Sequence, residues 1–265
     1  MELGVLANGL KVHYLNWGET RFLDDEIFRD NTYLQHGIEL SDGDLVFDVG
    51  ANIGLFAIFL KQKWPNIRLY SFEPIPDIFR VLRANIELHH VDATLFECGL
   101  SDRSGSATFT FYPNNSVMSG RYADSKDDAD TTRAFIGNKD PRFMNEAARS
   151  PEFAQHADSM LARLFEGQAA TVELKTVSEV LASYSIERVD LLKIDVEKSE
   201  HEVLGGIDTK DWKRIRQIVI EVHDIAGRLL AIKTLLESQG FQVNIAQDAM
   251  LLNTSIYNVY ARRSH

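Results

Sequence analysis

The stretch Leu45-Val-Phe-Asp-Val-Gly-Ala-Asn-Ile-Gly54 decides the fold. Leu45, Val46, Phe47 and Val49 form an apolar, partly β-branched run, the pattern of a strand covered on both faces. Gly50 has no Cβ, so its backbone can take an unusual φ and approach a ligand closely. Asn52 is expected to cap a helix running from about Ile53 to Trp64. Gly54 is expected to let that helix sit close to the strand. A strand, turn and helix in this order aim backbone N–H groups and a helix N-terminus at a ligand.

The detail of the turn selects the ligand. A dinucleotide fold carries G-x-G-x-x-G. Here the pattern is Gly-x-x-x-Gly, with Asp48 two residues before the first glycine. A carboxylate where a diphosphate would otherwise lie suits a ligand with an ammonium group and no phosphate. S-adenosyl-L-methionine (SAM) is such a ligand, and the turn resembles motif I of the class I SAM-dependent methyltransferases.

The whole chain sets bounds. It has 265 residues, enough for one large α/β domain with an insertion or for two small domains. Its net charge of −11 argues against a nucleic-acid or membrane-surface partner. The single cysteine, Cys98, excludes an internal disulfide and a cysteine-based zinc site. The N-terminus has no basic flank followed by an apolar core, and no apolar run approaches a membrane span, so a cytoplasmic protein is expected.

Residues 1–44 precede the first core strand. Lys11 to Leu15 alternates like a short strand, and Phe22 to His36 is expected to be helical. This segment is read as a cover over a cofactor cleft, with Tyr33 and His36 on the substrate side. From Leu45 strands alternate with helices, which predicts a mostly parallel, doubly wound sheet. The strands are Ile67–Phe72, Thr94–Glu97, Val189–Ile194 and Ile215–Ile220, with Phe241–Ala246 and Ile256–Ala261 closing the chain. Gly105–Tyr112 and Val172–Lys175 also have strand patterns. Residues from 113 to about 170 break the alternation, pass an acidic stretch at Asp124–Asp130, and are helical from Pro151 to Phe165. An insertion of this length suits a lid, with Met118 and Ser119 nearest the cleft.

Ligands of open α/β sheets bind at the carboxyl ends of the strands. Each strand here delivers polar residues at that end: Asp48 and Gly50, then Glu73, then Cys98 to Ser101, then Asp195 and Glu197, then Glu221 and His223. Glu73 lies about 20 to 25 residues after the glycine turn, where an acid accepts hydrogen bonds from ribose hydroxyls. Gly99 and Leu100 are placed to contact an adenine ring. Asp195 is expected near the methionine end of the cofactor.

By this point the chain resembles the FkbM-type methyltransferases. The matching stretches are Phe47 to Gly54, Phe72-Glu-Pro74, Gly99-Leu-Ser-Asp102 and Lys193-Ile-Asp-Val-Glu197. It is most similar to the O-methyltransferases of polyketide and nonribosomal peptide assembly lines, through Tyr33 to Ile38, Ser116 to Gly120, Glu221-Val-His-Asp224 and Ile256 to Ala261. Lys198-Ser199 departs from the broader family, where glycine commonly follows Asp-Val-Glu. The resemblance implies a seven-stranded class I fold over residues 45–265 and SAM-dependent O-methylation. It also implies a hydroxylated natural-product substrate, in one form tethered to an acyl or peptidyl carrier protein.

Such chemistry needs a hydroxyl aligned with the methyl group and a base for its proton. His223 is the expected base, with Glu197 fixing its far ring nitrogen and Glu221 as the alternative. Asp195, Glu197, Glu221 and His223 also form an oxygen-rich set, but no close ligand-spacing signature accompanies them, so no metal is assigned. The rival readings are an NAD-dependent oxidoreductase, disfavoured by the missing third glycine, a SAM-binding scaffold without activity, and a divalent-metal-dependent O-methyltransferase of a small molecule.

Overall fold

A computed structural model describes residues 1–263. The chain opens with an antiparallel hairpin of β1 (Glu2–Val5) and β2 (Lys11–Tyr14). Helix α1 (Trp17–Asp24) runs into a π-helical turn at Asp25–Arg29, and a 3-10 turn follows at Thr32–Leu34. The alternating core then begins with β3 (Leu45–Val49), α2 (Leu55–Lys63), β4 (Arg68–Phe72), α3 (Pro76–Leu88) and β5 (Ala93–Phe96). Next come β6 (Gly99–Leu100), β7 (Gly105–Phe111), a 3-10 turn at Ser116–Met118, and three helices: α4 (Ser125–Lys139), α5 (Pro141–Arg149) and α6 (Pro151–Leu164). The chain returns through β8 (Gln168–Lys175), α7 (Val177–Ser183), β9 (Leu191–Ile194), α8 (Glu200–Gly205), β10 (Gln217–His223), α9 (Arg228–Ser238), β11 (Phe241–Ala246) and β12 (Ile256–Arg263).

The main sheet has seven strands in the order β11-β12-β10-β9-β3-β4-β5, and β12 alone runs against its neighbours. The chain leaves β3 toward β4 and β5, then returns on the other side as β9 and β10. The strand order therefore reverses between β3 and β9, where open sheets of this kind bind ligands. All five residues of β3 are buried, and its four apolar residues divide between two cores. Val46 packs with Ile58 and Leu82 of α2 and α3. Leu45, Phe47 and Val49 pack with Val180, Val203 and Ile232 of α7, α8 and α9. Both faces are covered, as the apolar run of β3 requires.

Several local expectations are corrected. Asn52 does not cap α2: it adopts φ 47°, its Oδ1 accepts from Ile53 N–H, and the helix begins after Gly54 at φ 89°. Gly54 also serves a different neighbour, because a Cβ there would lie 2.7 Å from Leu82 of α3; the close approach is between helices. The Phe22–His36 segment is not one helix. It ends at Asp30 and Asn31, the latter left-handed, because short polar side chains compete with helical backbone bonding.

The insertion is a three-helix excursion. Asp124, Asp140 and Ser150 each cap a helix, and Pro141 and Pro151 stand at first positions. The acidic stretch is thus the N-terminal turn of α4, where negative charge is favourable. Strand β7 does not join the main sheet but pairs with β8 in a small sheet of order β6-β8-β7. The three helices are carried at the far end of that pair.

A buried ion pair fastens the insertion to the core. Lys198, at φ 65°, places Nζ 2.6 Å from Asp127 and 2.7 Å from Asp128, and Tyr112 donates to Asp128 at 3.0 Å. Asp128 is almost fully buried. Removing the lysine leaves it without its counter-charge, a loss on the order of 3 kcal/mol. Lys198→Ala is expected to speed limited proteolysis within residues 125–164, and an unchanged cleavage rate would show that other contacts hold the insertion.

Candidate active site

The carboxyl ends of β3, β4, β9 and β10 open into a cavity of about 320 Å³. Above it lie α1, the Ser116–Met118 turn and α4. Glu19 of α1 accepts from both Ser116 N–H (2.9 Å) and Ser116 Oγ (2.7 Å), so the N-terminal segment and the insertion form one roof.

Of the expected cofactor residues, Gly50, Asn52, Glu73, Gly99, Leu100 and Asp195 line the cavity. Gly50 adopts φ 77°, and a Cβ on it would stand 1.8 Å from the Asp195 carbonyl oxygen. Only glycine permits the turn to pass so close to the end of β9. Glu73 accepts from Asn52 N–H at 3.1 Å and Ile75 N–H at 2.9 Å, which joins the glycine turn to the end of β4. Burial pushes its carboxyl up to about 7.

Asp48 and Gly54 do not line the cavity. Asp48 lies fully buried beneath the turn, paired across β3 and β9 with Lys193. Lys193 Nζ stands 3.2 Å from Asp48 and 3.4 Å from Asp195, and donates to the Gly50 carbonyl at 2.7 Å. Burial works against the ammonium, but the two carboxylates beside it hold its pKa above the usual value. The sequence did hold a signal for this residue: a lysine inside the apolar run Leu-Leu-Lys-Ile.

On the substrate side Met118 and Ser119 reach the cavity as expected, with Phe22, Phe135, Leu251 and Ile256 forming apolar wall. Phe22 and Phe135 meet edge to face at 5.3 Å between centroids. Two expected residues lie elsewhere. His36 is exposed and packs on Tyr260, in a left-handed turn that carries it away from the cleft. Tyr33 is buried behind the wall and acts through Asp195, to which its hydroxyl donates at 2.7 Å.

The expected catalytic trio does come together, in a different order. Glu197 and Glu221 line the cavity, whereas His223 is buried behind them. His223 Nδ1 is 2.8 Å from Glu200 Oε1. A carboxylate only accepts, so Nδ1 carries the proton, and Glu200 rather than Glu197 fixes the far nitrogen. Glu200 is held in turn by Lys198 N–H and by Arg228. Nε2 faces Glu197 Oε2 at 3.1 Å, but the two are not aligned as a hydrogen bond and each is otherwise unpartnered. Glu197, Glu221 and His223 each place one donor atom within 4.8 Å of the others.

Negative charge dominates this edge. Burial raises the carboxyls of Glu197 and, much further, Glu221, where the nearby Asp195 and Glu26 charges add to it. Burial disfavours a charged His223, yet Glu197 and Glu200 outweigh it and lift the imidazole well above its ordinary value. Glu26, on the π-helical turn, also lines the cavity and is pushed up to about 8, first by burial and then by Asp195. Neither Glu26 nor Glu200 was expected from sequence. The only local signal for Glu200 is an acid in the first turn of a helix.

These residues fit SAM. A buried acid, Glu73, faces a cavity entered over a glycine turn that no side chain could occupy. The end of the cavity at Asp195, beside the Gly50 turn, suits a group bearing a sulfonium and an ammonium.

Comparisons with known proteins agree with this geometry. Residues 48–243 match the model of the methyltransferase FkbM domain. The chain is 42% identical over 260 residues to the 31-O-demethyl-FK506 methyltransferase FkbM of Streptomyces tacrolimicus, covering 98% of this chain and 96% of that protein. It is 38% identical over 265 residues to the AMB antimetabolite synthetase AmbE of Pseudomonas aeruginosa, covering 97% of this chain but only 12% of that much longer protein. The crystal structure of methyltransferase FkbM from Methylobacillus flagellatus shares the fold, with a TM-score of 0.53 at 12% identity, over 87% of this chain and 46% of that one. The chain therefore belongs to the FkbM methyltransferase family and is a SAM-dependent methyltransferase of the class I fold.

Proposed function

We propose that this enzyme transfers the methyl group of SAM to a hydroxyl of a polyketide- or peptide-derived natural-product intermediate. The observation that carries the reading is the placement of Glu197 and Glu221 on the same cavity as an apolar lining of Phe22, Met118, Phe135 and Ile256. An apolar body bearing a hydroxyl matches both halves. The relatives named for FK506 methylation and antimetabolite synthesis support the substrate class. The synthetase relative, matched in a small part of its length, supports a substrate delivered on an acyl or peptidyl carrier protein. Residues 1–44 and the insertion act as its cover.

SAM, when bound, supplies an electrophilic methyl group, so the protein's tasks are alignment of the hydroxyl and removal of its proton. The sequence assigned that proton to His223, but the imidazole does not reach the cavity and both its nitrogens face carboxylates. We assign the base to Glu197. His223 positions it from behind, Glu200 positions His223, and Glu221 closes the other side. Lys193 fixes Asp195 and the turn while these groups work.

Glu197→Gln is expected to lower kcat by about 100- to 10,000-fold, the usual contribution of a general base, with little change in SAM affinity by calorimetry. His223→Gln should cost less, about 10- to 100-fold, because it loosens the base without removing it. A larger loss for His223→Gln than for Glu197→Gln would return the base to the histidine. Assays with a free hydroxylated substrate and its carrier-protein thioester separate the two forms of delivery.

Glu73 gives a pH dependence. Its carboxyl, at about 7 in the folded protein against 4.5 for the free group, accepts ribose hydroxyls best when ionised. SAM affinity should rise by up to roughly tenfold from pH 6 to pH 8. The unliganded protein should move the opposite way. A carboxyl raised on folding contributes stability below the unfolded pKa, and that contribution is lost as pH climbs through the folded value. Glu73→Gln should flatten both trends, in calorimetric titration and in thermal melts. A pH dependence that survives the substitution would belong to another group.

A further inference from the structure

We propose that Glu197, Glu221 and His223 form a binding site for one divalent cation of the Mg²⁺ or Mn²⁺ class at the substrate end of the cavity. The inference rests on the reading of this edge as the methyl-acceptor side. Two carboxylates and an imidazole bring donor atoms within 4.8 Å of one another. One pair, Nε2 and Glu197 Oε2, lies 3.1 Å apart without meeting hydrogen-bond geometry. Donors about 2.1 Å from an octahedral ion and at right angles to each other lie about 3 Å apart, so this spacing is that of two adjacent ligands.

The second observation comes from His223 itself. Only 2% of its surface is exposed, and Nε2 has no hydrogen-bond partner while pointing at the two acids. Its other nitrogen is held by Glu200, itself fully buried and bonded to Arg228 and to Lys198 N–H. Metal-bound histidines almost always donate their other ring N–H to a carboxylate, a backbone carbonyl or water, as His223 Nδ1 does to Glu200; a cation would take the place of the proton on Nε2. The remaining charged groups facing the cluster, Glu26 and Asp195, are acids, and Asp195 is tied to Lys193. The acids of this edge, Glu26, Asp195, Glu197 and Glu221, outnumber the bases beside them, Lys193 and His223.

The donor set chooses the class of ion. Two carboxylates favour a hard, oxygen-seeking cation, and the imidazole extends the range to Mn²⁺. Three protein ligands leave positions for water and for the substrate hydroxyl. Glu197 and Glu221 reach the cavity wall, so those positions open toward the acceptor. A cation there would hold the hydroxyl oxygen and make its proton easier to remove. The sequence could not assign this site because its ligands come from two strand ends, with no short-range spacing to mark them.

The test reads binding without substrate. Full-length protein, stripped with chelator and dialysed, is titrated with MnCl₂ while free Mn²⁺ is followed by electron paramagnetic resonance. One saturable site per chain is expected. Glu221→Gln, a near-isosteric change on the cavity wall, and His223→Gln should each weaken it by tenfold or more, with circular dichroism confirming the fold. Absence of saturable binding to the wild-type chain, or binding that persists unchanged in both variants, overturns the proposal. Mg²⁺ should compete for the site, and a methylation assay should show activity lost in chelator and restored by Mn²⁺ or Mg²⁺. Full activity in chelator would overturn the cation while leaving O-methylation by Glu197 standing. Saturable binding without methylation of any hydroxylated acceptor would support the cation and count against the function proposed above.

Discussion

The rest of the site depends on the Lys193 ammonium. It lies inside a sheet at the one place where the strand order turns back on itself, and it meets three groups from two strands: Asp48, the Gly50 carbonyl and Asp195. Asp48 and Lys193 are partners in the ladder between β3 and β9, so a one-residue slip would separate them. A pair of this kind adds little net stability, because desolvation offsets much of the attraction. It does set geometry. The carbonyl of Gly50 is drawn toward β9, and the Gly50 Cα lies so close to the Asp195 backbone that only a hydrogen fits. Asp195, whose Oδ2 faces Lys193 and also accepts from the Tyr33 hydroxyl, then carries the N-terminal cover into the same arrangement. The cation over the Tyr33 ring, 5.1 Å from its centroid, adds to that attachment.

Much of this fold was legible because it rests on periodicity and on where polar residues fall. The apolar runs of β3, β4, β9 and β10 are long enough to be strands, and each is followed by acids or glycine. The doubly wound sheet and its binding edge follow from that alone, as does the late β11–β12 pair. Local geometry was harder to read. Asn52 before an apolar helix has the composition of a cap, yet it is Glu73, 21 residues away, that engages its N–H. The use of Gly54 is set by Leu82 on another helix. The caps inside the insertion were readable, since Asp124, Asp140-Pro141 and Ser150-Pro151 are ordinary helix starts. The acidic run obscured them by looking like a solvated loop.

At the strand ends the residue types are legible in the sequence, and depth is not. Sequence shows that Asp48, Glu197, Glu221 and His223 stand at strand ends but not which of them open on the cavity. Asp48 falls beneath the turn because the strand partner opposite it is a lysine. His223 falls behind Glu197 because α8 supplies Glu200 to hold its far nitrogen. An acid in the first turn of a helix is already explained by the helix dipole, so nothing in Glu200 advertises a second role. Glu26 is hidden differently. It reaches the cavity from a π-helical turn, a distortion that often accompanies functional positions and leaves no mark in the sequence pattern.

The departure from the family pattern at Lys198 has a physical reason. The residue after Asp-Val-Glu needs a left-handed backbone, φ 65° here, which glycine adopts without strain. Lysine is strained there, and its ion pair with Asp127 and Asp128 offsets the strain. The side chain thereby converts a turn requirement into an attachment for α4. The insertion touches the next residue back as well: a Cβ on Gly120 would lie 2.9 Å from the Glu197 Cβ and 3.0 Å from its carbonyl oxygen. Glu197 is thus held between the end of β9 and the insertion, with His223 behind it. A ligand that shifts α4, whose Phe135 lines the cavity, acts on the same backbone that carries Glu197. Recognition of an apolar body and placement of Glu197 on the cavity are therefore one mechanical problem in this chain, coupled through the Lys198 attachment.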